Sequence, residues 1–148
     1  MKLKLIVTKE VEKQLKDAIQ QQDIVFGDDA NLVVYELHHE HQFVVVRDRE
    51  EYLRLAVEEI IYISAIGSGI FVHTRDGKYQ IKDTMYQLEA MLYEKGFLRV
   101  HKAYIVHKKD IKRIKAGINM KFVLILSNDE QIEVSRSYYY HFKEEMGF

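Results

Sequence analysis

Apolar residues in this chain come in short runs, and turn-forming residues end nearly every one of them. KLKLIV (2–7), NLVVYEL (31–37), QFVVVR (42–47), IIYISAI (60–66), IFVHT (70–74), MKFVLIL (120–126) and QIEVS (131–135) are of strand length and rich in β-branched residues. A helix needs a periodic stripe sustained over about ten residues or more, which runs this short cannot supply. FGDDAN (26–31), RDREE (47–51), GSG (67–69) and Ser127-Asn128-Asp129 supply the punctuation. Arg75-Asp76-Gly77-Lys78 places Asp-Gly between two β-rich runs, the strongest short hairpin signal in the chain.

Helical signals are few. Thr8 caps a predicted helix over 9–22, with Val11, Leu15, Ala18 and Ile19 on one face. Thr84-x-x-Gln87 forms a capping box for a second, whose Met85, Leu88, Met91 and Leu92 point inward and which Gly96 ends. VEEI (57–60) reads as a brief helical turn, and Tyr139, Phe142 and Met146 predict a last turn or two. The pattern is that of a mainly β chain with isolated helices. Residues 1–41 read as a small β-α-β segment and 42–148 as the main domain, the composition shifting near 39–42 with no linker to mark it.

Several kinds of chemistry find no support. With no cysteine there is no disulfide framework, thiolate metal site or thiol nucleophile, which fits a cytoplasmic protein. Of His38, His39 and His41 in HHEH, only His39 and His41 would share a face of an extended strand, and with no third ligand nearby the stretch reads as a solvated turn and no metal is assigned. Ser64, Ser68 and Ser135 lie in no nucleophile elbow, and the glycines match no dinucleotide or phosphate-loop pattern. Nothing suggests an enzyme, a cofactor or a small-molecule substrate. No apolar run is long enough to span a membrane as a helix.

One stretch asks for a partner. In FLRVHKAYIVHKKDIKRI (97–114) apolar residues alternate with cations. From Lys95 to Lys115 the chain carries Lys95, Arg99, Lys102, Lys108, Lys109, Lys112, Arg113 and Lys115 against the single acid Asp110. The charge is local, because residues 1–40 hold five Lys against eight acids. Cations anchored beside a core are suited to phosphate contacts, since counterion release supplies affinity and rigidity supplies register. Charge alone leaves a solvated basic face equally open.

The same stretch resembles the central motif of LytTR-type DNA-binding domains, F-hydrophobic-R-hydrophobic-H-R/K-S, three hydrophobic residues, Asn, then I-x-x-I. EEIIYISAIGSGIFVHTRDGKY resembles the opening of that family, DTMYQLEAMLYEKGF its helix and QIEVSRSYYYHFKEEM its closing segment, in order over about 42–148. The resemblance implies stacked antiparallel β-sheets and a bacterial transcriptional regulator. Such a protein binds paired direct repeats in double-stranded DNA through successive major grooves. Carried over by position, it implies that the loop at Ser68 and Gly69 enters one groove and that Ser135 and Arg136 enter another. Arg99, His101 and Lys102 would contact backbone and bases, with Lys108 and Lys109 on phosphates. Ala103 and His107 depart from the Ser and Asn usual there. No receiver domain is expected in residues 1–41. That segment either pairs with its copy in a homodimer or covers a sheet edge. Stand-alone members of the family are often held in check by a membrane-protein inhibitor. The competing expectation is a protein-interaction module of the same fold that sequesters a partner regulator. RNA binding would need Tyr138, Tyr139 and Tyr140 as an exposed stacking platform, and they read instead as packing residues.

Overall fold

IIYISAI lacks a polar face because the fold covers it on both sides. The structure, a computed structural model, describes residues 1–20, 23–35 and 42–148, so the HHEH stretch lies outside the described residues. In chain order the elements are β1 (Lys2–Ile6), α1 (Lys9–Ala18), β2 (Val25–Phe26), β3 (Leu32–Tyr35), β4 (Phe43–Asp48), β5 (Glu51–Ala56), β6 (Tyr62–Ile66), β7 (Gly69–His73) and β8 (Lys78–Ile81). Then follow α2 (Met85–Leu92), β9 (Phe97–His101), β10 (Tyr104–His107), β11 (Ile111–Ala116), β12 (Phe122–Leu126), β13 (Gln131–Val134) and α3 (Tyr139–Met146).

Three sheets result. A seven-stranded antiparallel sheet in the order β5-β4-β8-β7-β6-β10-β9 forms the centre, and β11-β12-β13 make a second antiparallel sheet. β2-β1-β3 make a small parallel sheet. One face of the central sheet, through Ile60, Ile63, Phe97 and Ile105, packs on Met85, Leu88 and Leu92 of α2. The opposite face, through Ile61, Leu98, Val100 and Val106, packs on Leu124, Leu126, Ile132, Val134 and Phe142. Successive residues of β9 and β10 therefore serve different cores, as the two-residue period of a strand requires. Truncating a fully buried leucine such as Leu124 to Ala costs about 2–5 kcal/mol in settings of this kind.

The capping box of α2 forms as predicted, Thr84 accepting from the Gln87 N–H and Gln87 accepting from the Thr84 N–H. Gly96 ends the following 3-10 turn at φ 87°, a left-handed conformation that favours glycine. Other expectations shift. α1 stops at Ala18 rather than reaching 22, because its apolar stripe runs out at Ile19, whose N–H closes the last turn on Leu15. The turn expected over 47–51 narrows to Arg49-Glu50, since Asp48 pairs with Glu51 and Arg47 with Tyr52. Val25–Phe26, too short to show as a run, pairs in parallel with β1.

The parallel sheet and α1 lean on α2. Tyr86 donates to the Leu5 carbonyl at 3.4 Å and to Glu12 Oε2 at 3.3 Å. The rings of Tyr35 and Tyr93 lie 5.1 Å apart. Lys4 is buried, with its Nζ 3.3 Å from Glu89 Oε1. No described helix is long and apolar enough to cross a membrane.

Candidate functional site

Strand pairing decides which of the sequence-derived residues meet. β6 and β7 join through Gly67-Ser68, with Ile66 opposite Gly69. β9 and β10 join through Lys102-Ala103, with His101 opposite Tyr104. Because Tyr104 also pairs with Ser64, and the Ala65 N–H donates to the Ala103 carbonyl at 2.9 Å, the two turns share one end of the central sheet. The Ser135 N–H donates to the Val100 carbonyl at 3.0 Å, bringing the exit of β13 to the same end. Ser68, Gly69, Arg99, His101, Lys102, Ser135 and Arg136 thus come together from three separated segments.

Each turn is built locally. Gly67 has φ 61° and open space where a Cβ would stand, so conformation rather than room calls for glycine, and it presents exposed Ser68. His101 Nδ1 accepts from the Ala103 N–H at 3.0 Å, closing the Lys102 turn. Neutral His101 must then carry its proton on Nε2, which leaves a donor pointing away from the turn. Arg136 opens a 3-10 turn (Arg136–Tyr138) that closes with the Tyr138 N–H donating to the Ser135 carbonyl at 3.0 Å. Ser135 Oγ lies 3.3 Å from Ser137 Oγ. Lys102 and Arg136 are exposed, and no hydrogen bond or ion pair holds either charged group among the described residues.

Arg99 is turned the other way. It shares a face of β9 with Phe97, toward α2, where Nη1 donates to Glu89 Oε2 at 2.9 Å and Nη2 to the Lys102 carbonyl at 2.7 Å. Its guanidinium supports the turn from within.

Lys108 and Lys109 do not join this group. They follow β10, so about five residues of extended chain, roughly 17 Å, separate them from the Lys102 turn. Their ammonium groups are occupied there: Lys108 lies 3.5 Å from Glu145 Oε2, and Lys109 donates to the Glu58 carbonyl at 2.8 Å. The basic run of the sequence is therefore not one patch. It folds forward, back and forward again through β9, β10 and β11, and its charges divide between the two ends of the molecule. Lys112, paired with Asp129 at 3.2 Å, belongs to the far end. Lys115 and the β11–β12 turn at 117–121 belong to the near end, because Ala116 pairs with Phe122, which pairs with Val134. No sequence motif singled out that turn. Ile118 at its tip is 83% exposed, and an isolated apolar residue beside Lys115 was the available signal.

The Ser64–His73 contact is not a catalytic pair. Ser64 Oγ and His73 Nε2 are 2.8 Å apart, but Ser64 is wholly buried and the imidazole stacks on Tyr62 at 3.9 Å. Burial first, and the nearby Lys78 second, push the His73 pKa down to about 4.

Comparison with known proteins gives a consistent picture. The sequence profile of the LytTr DNA-binding domain family matches residues 50–147. The chain is 30% identical over 93 residues to the transcriptional regulatory protein LytR of Staphylococcus aureus, which covers 63% of this chain and 38% of LytR. It is 33% identical over 81 residues to the sensory transduction protein LytT of Bacillus subtilis, covering 55% of this chain and 34% of LytT. The chain thus spans well under half the length of these curated relatives. The LytTr DNA-binding domain of a methyl-accepting/DNA response regulator from Bacillus cereus superposes with a TM-score of 0.70 at 24% identity, over 74% of this chain and all of that one, and so shares the fold.

Proposed function

Because the chain belongs to the LytTr DNA-binding domain family, we propose that it is a bacterial transcriptional regulator that binds duplex DNA through the end of the molecule carrying Ser68, His101, Lys102, Ser135 and Arg136. The observation that carries this reading is the convergence of three turns on one end, where the charges of Lys102 and Arg136 are unpaired among the described residues. Arg136 reads sequence, since a guanidinium can bind O6 and N7 of guanine together. Lys102 and the exposed Lys115 serve the phosphates, and Nε2 of His101 offers a donor at the same surface. Residues 42–148 form the DNA-binding domain and residues 1–41 an appended unit. Two copies occupy paired direct repeats on one face of the duplex, each reaching successive major grooves. Acting on the chromosome puts the protein in the cytoplasm.

A second reading, sequestration of a partner regulator, is favoured by one feature. Phe43, Val45 and Tyr52 are exposed large apolar residues on the β4–β5 hairpin, a surface suited to protein contact.

Selection from a random duplex library, followed by salt titration of the best site, separates the two. DNA binding predicts a recovered repeat with half-sites about one helical turn apart. Neutralising about five phosphates per complex gives a log–log salt slope of roughly −4 to −5. Arg136→Ala relaxes the recovered sequence. No enriched duplex, or a slope near zero, defeats the reading.

A further inference from the structure

The appended unit buries one cation at the base of both recognition turns. Lys4 is 3% exposed and Glu89, on α2, is 7% exposed. Lys4 Nζ stands 3.3 Å from Glu89 Oε1, while Arg99 Nη1 donates to Oε2 of the same carboxylate at 2.9 Å. The other arm of Arg99 holds the Lys102 carbonyl at 2.7 Å. Lys4 Nζ also lies 5.0 Å from the centre of the Tyr138 ring, and Tyr138 closes the turn that begins at Arg136. Resting on the DNA-binding reading, we infer that Lys4 is a positioning residue. Its ammonium fixes the Lys102 turn through Glu89 and Arg99, and the Arg136 turn through the ring of Tyr138.

The hydrogen bonding of Arg99 separates this role from plain stabilisation. An arginine serving only an ion pair does best with two parallel bonds to its carboxylate. Arg99 instead gives Glu89 one nitrogen and the turn another, and its Nε is buried without a partner among the described residues. A buried unpaired donor is costly, and here it accompanies a guanidinium stretched between α2 and the Lys102 turn. Glu89 in turn is shared by two cations. Removing Lys4 leaves the carboxylate to Arg99 alone, free to draw the guanidinium toward the forked geometry and away from the Lys102 carbonyl. The same change removes the charge seated over Tyr138. The appended unit is thereby coupled to the DNA-facing end without touching DNA.

The test compares the wild-type chain with Lys4→Met, which keeps the apolar stem of the side chain and removes its ammonium, on the duplex recovered by selection. The folded variant binds roughly tenfold more weakly, within the usual span of coupling between sites. Its salt slope is unchanged, because Lys4 meets no phosphate. Amide resonances of Lys102–Ala103 and Ser137–Tyr138 shift in the free protein. Should Lys4→Met fail to fold, Lys4→Gln, which removes the charge but keeps a polar donor on the side chain and leaves the Glu89–Arg99 pair in place, replaces it and shows the same weakening. A folded Lys4→Met that binds as wild type, a slope that falls by about one, or the unfolding of both variants overturns the inference. Failure of the wild type to select any duplex is a separate result, and defeats the functional reading instead.

Discussion

Arg99 and Lys102 are three residues apart in a basic stretch, yet one lies against a buried carboxylate and the other in solvent. The difference is position: Arg99 lies within β9 on its α2 face, whereas Lys102 lies in the turn that follows the strand. Phe97 and Arg99 share a face of β9, Phe97 is in the core, and Arg99 follows it toward Glu89. The partner was itself visible in the sequence. Met85, Leu88, Glu89 and Leu92 fall at i, i+3, i+4 and i+7, so Glu89 sits on the buried stripe of its helix and needs a cation. The histidines obey the same logic. Burial lowers the affinity of His73, His107 and His141 for a proton, and for His73 the pKa falls to about 4. Unfolded, each titrates near 6.5. Between those values the unfolded chain binds more protons, so stability rises with pH there. It is fully present above about pH 6.5 and is lost as pH falls toward 4. Chemical denaturation at pH 7.5 and pH 5 therefore gives a lower midpoint at pH 5, with the difference reduced in His73→Gln. Equal midpoints in the wild type contradict the burial argument.

At the scale of elements, what the sequence revealed depended on whether an element announces itself locally. The Asp-Gly hairpin, the capping box of α2 and the two-sided run of β6 did, since each is set by neighbours in the chain. Val25–Phe26 did not, because a two-residue strand has meaning only beside β1. The candidate site was half legible for the same reason. Motif positions picked out Ser68, His101, Lys102 and Arg136. The turns of the chain at Lys102-Ala103 and again at the 3-10 turn Lys108–Asp110, which carry Lys108 and Lys109 to the far end, follow from pairing alone. This division predicts that Lys102→Ala and Lys109→Ala behave differently although both delete one lysine. The first weakens binding to every duplex by about three- to tenfold and makes the salt slope shallower by roughly 0.9, whereas the second changes neither. Direct titration of both variants at two salt concentrations decides it. Equal losses would mean that DNA covers both ends.

Taken whole, the molecule is a stack in which the central sheet is covered on one face by α2 and on the other by the β11–β13 sheet and α3. That cover is why its turns can be stiff enough to present charge in register. β9, which carries His101, is an edge strand of the central sheet. The parallel sheet at the N-terminus reaches the helix lying over it, through Tyr86 and the Lys4–Glu89 pair. The central claim is geometric: turns from three distant segments form one DNA-binding surface at a single end of the sheet. Titrating the isotopically labelled full chain with its selected duplex, and following backbone amide shifts, tests it most directly. The account predicts the largest changes at residues 67–69, 101–103 and 135–137, with 74–77, 108–110 and 127–130 at the opposite end unmoved. Changes centred on the latter three segments, with the former silent, would contradict it.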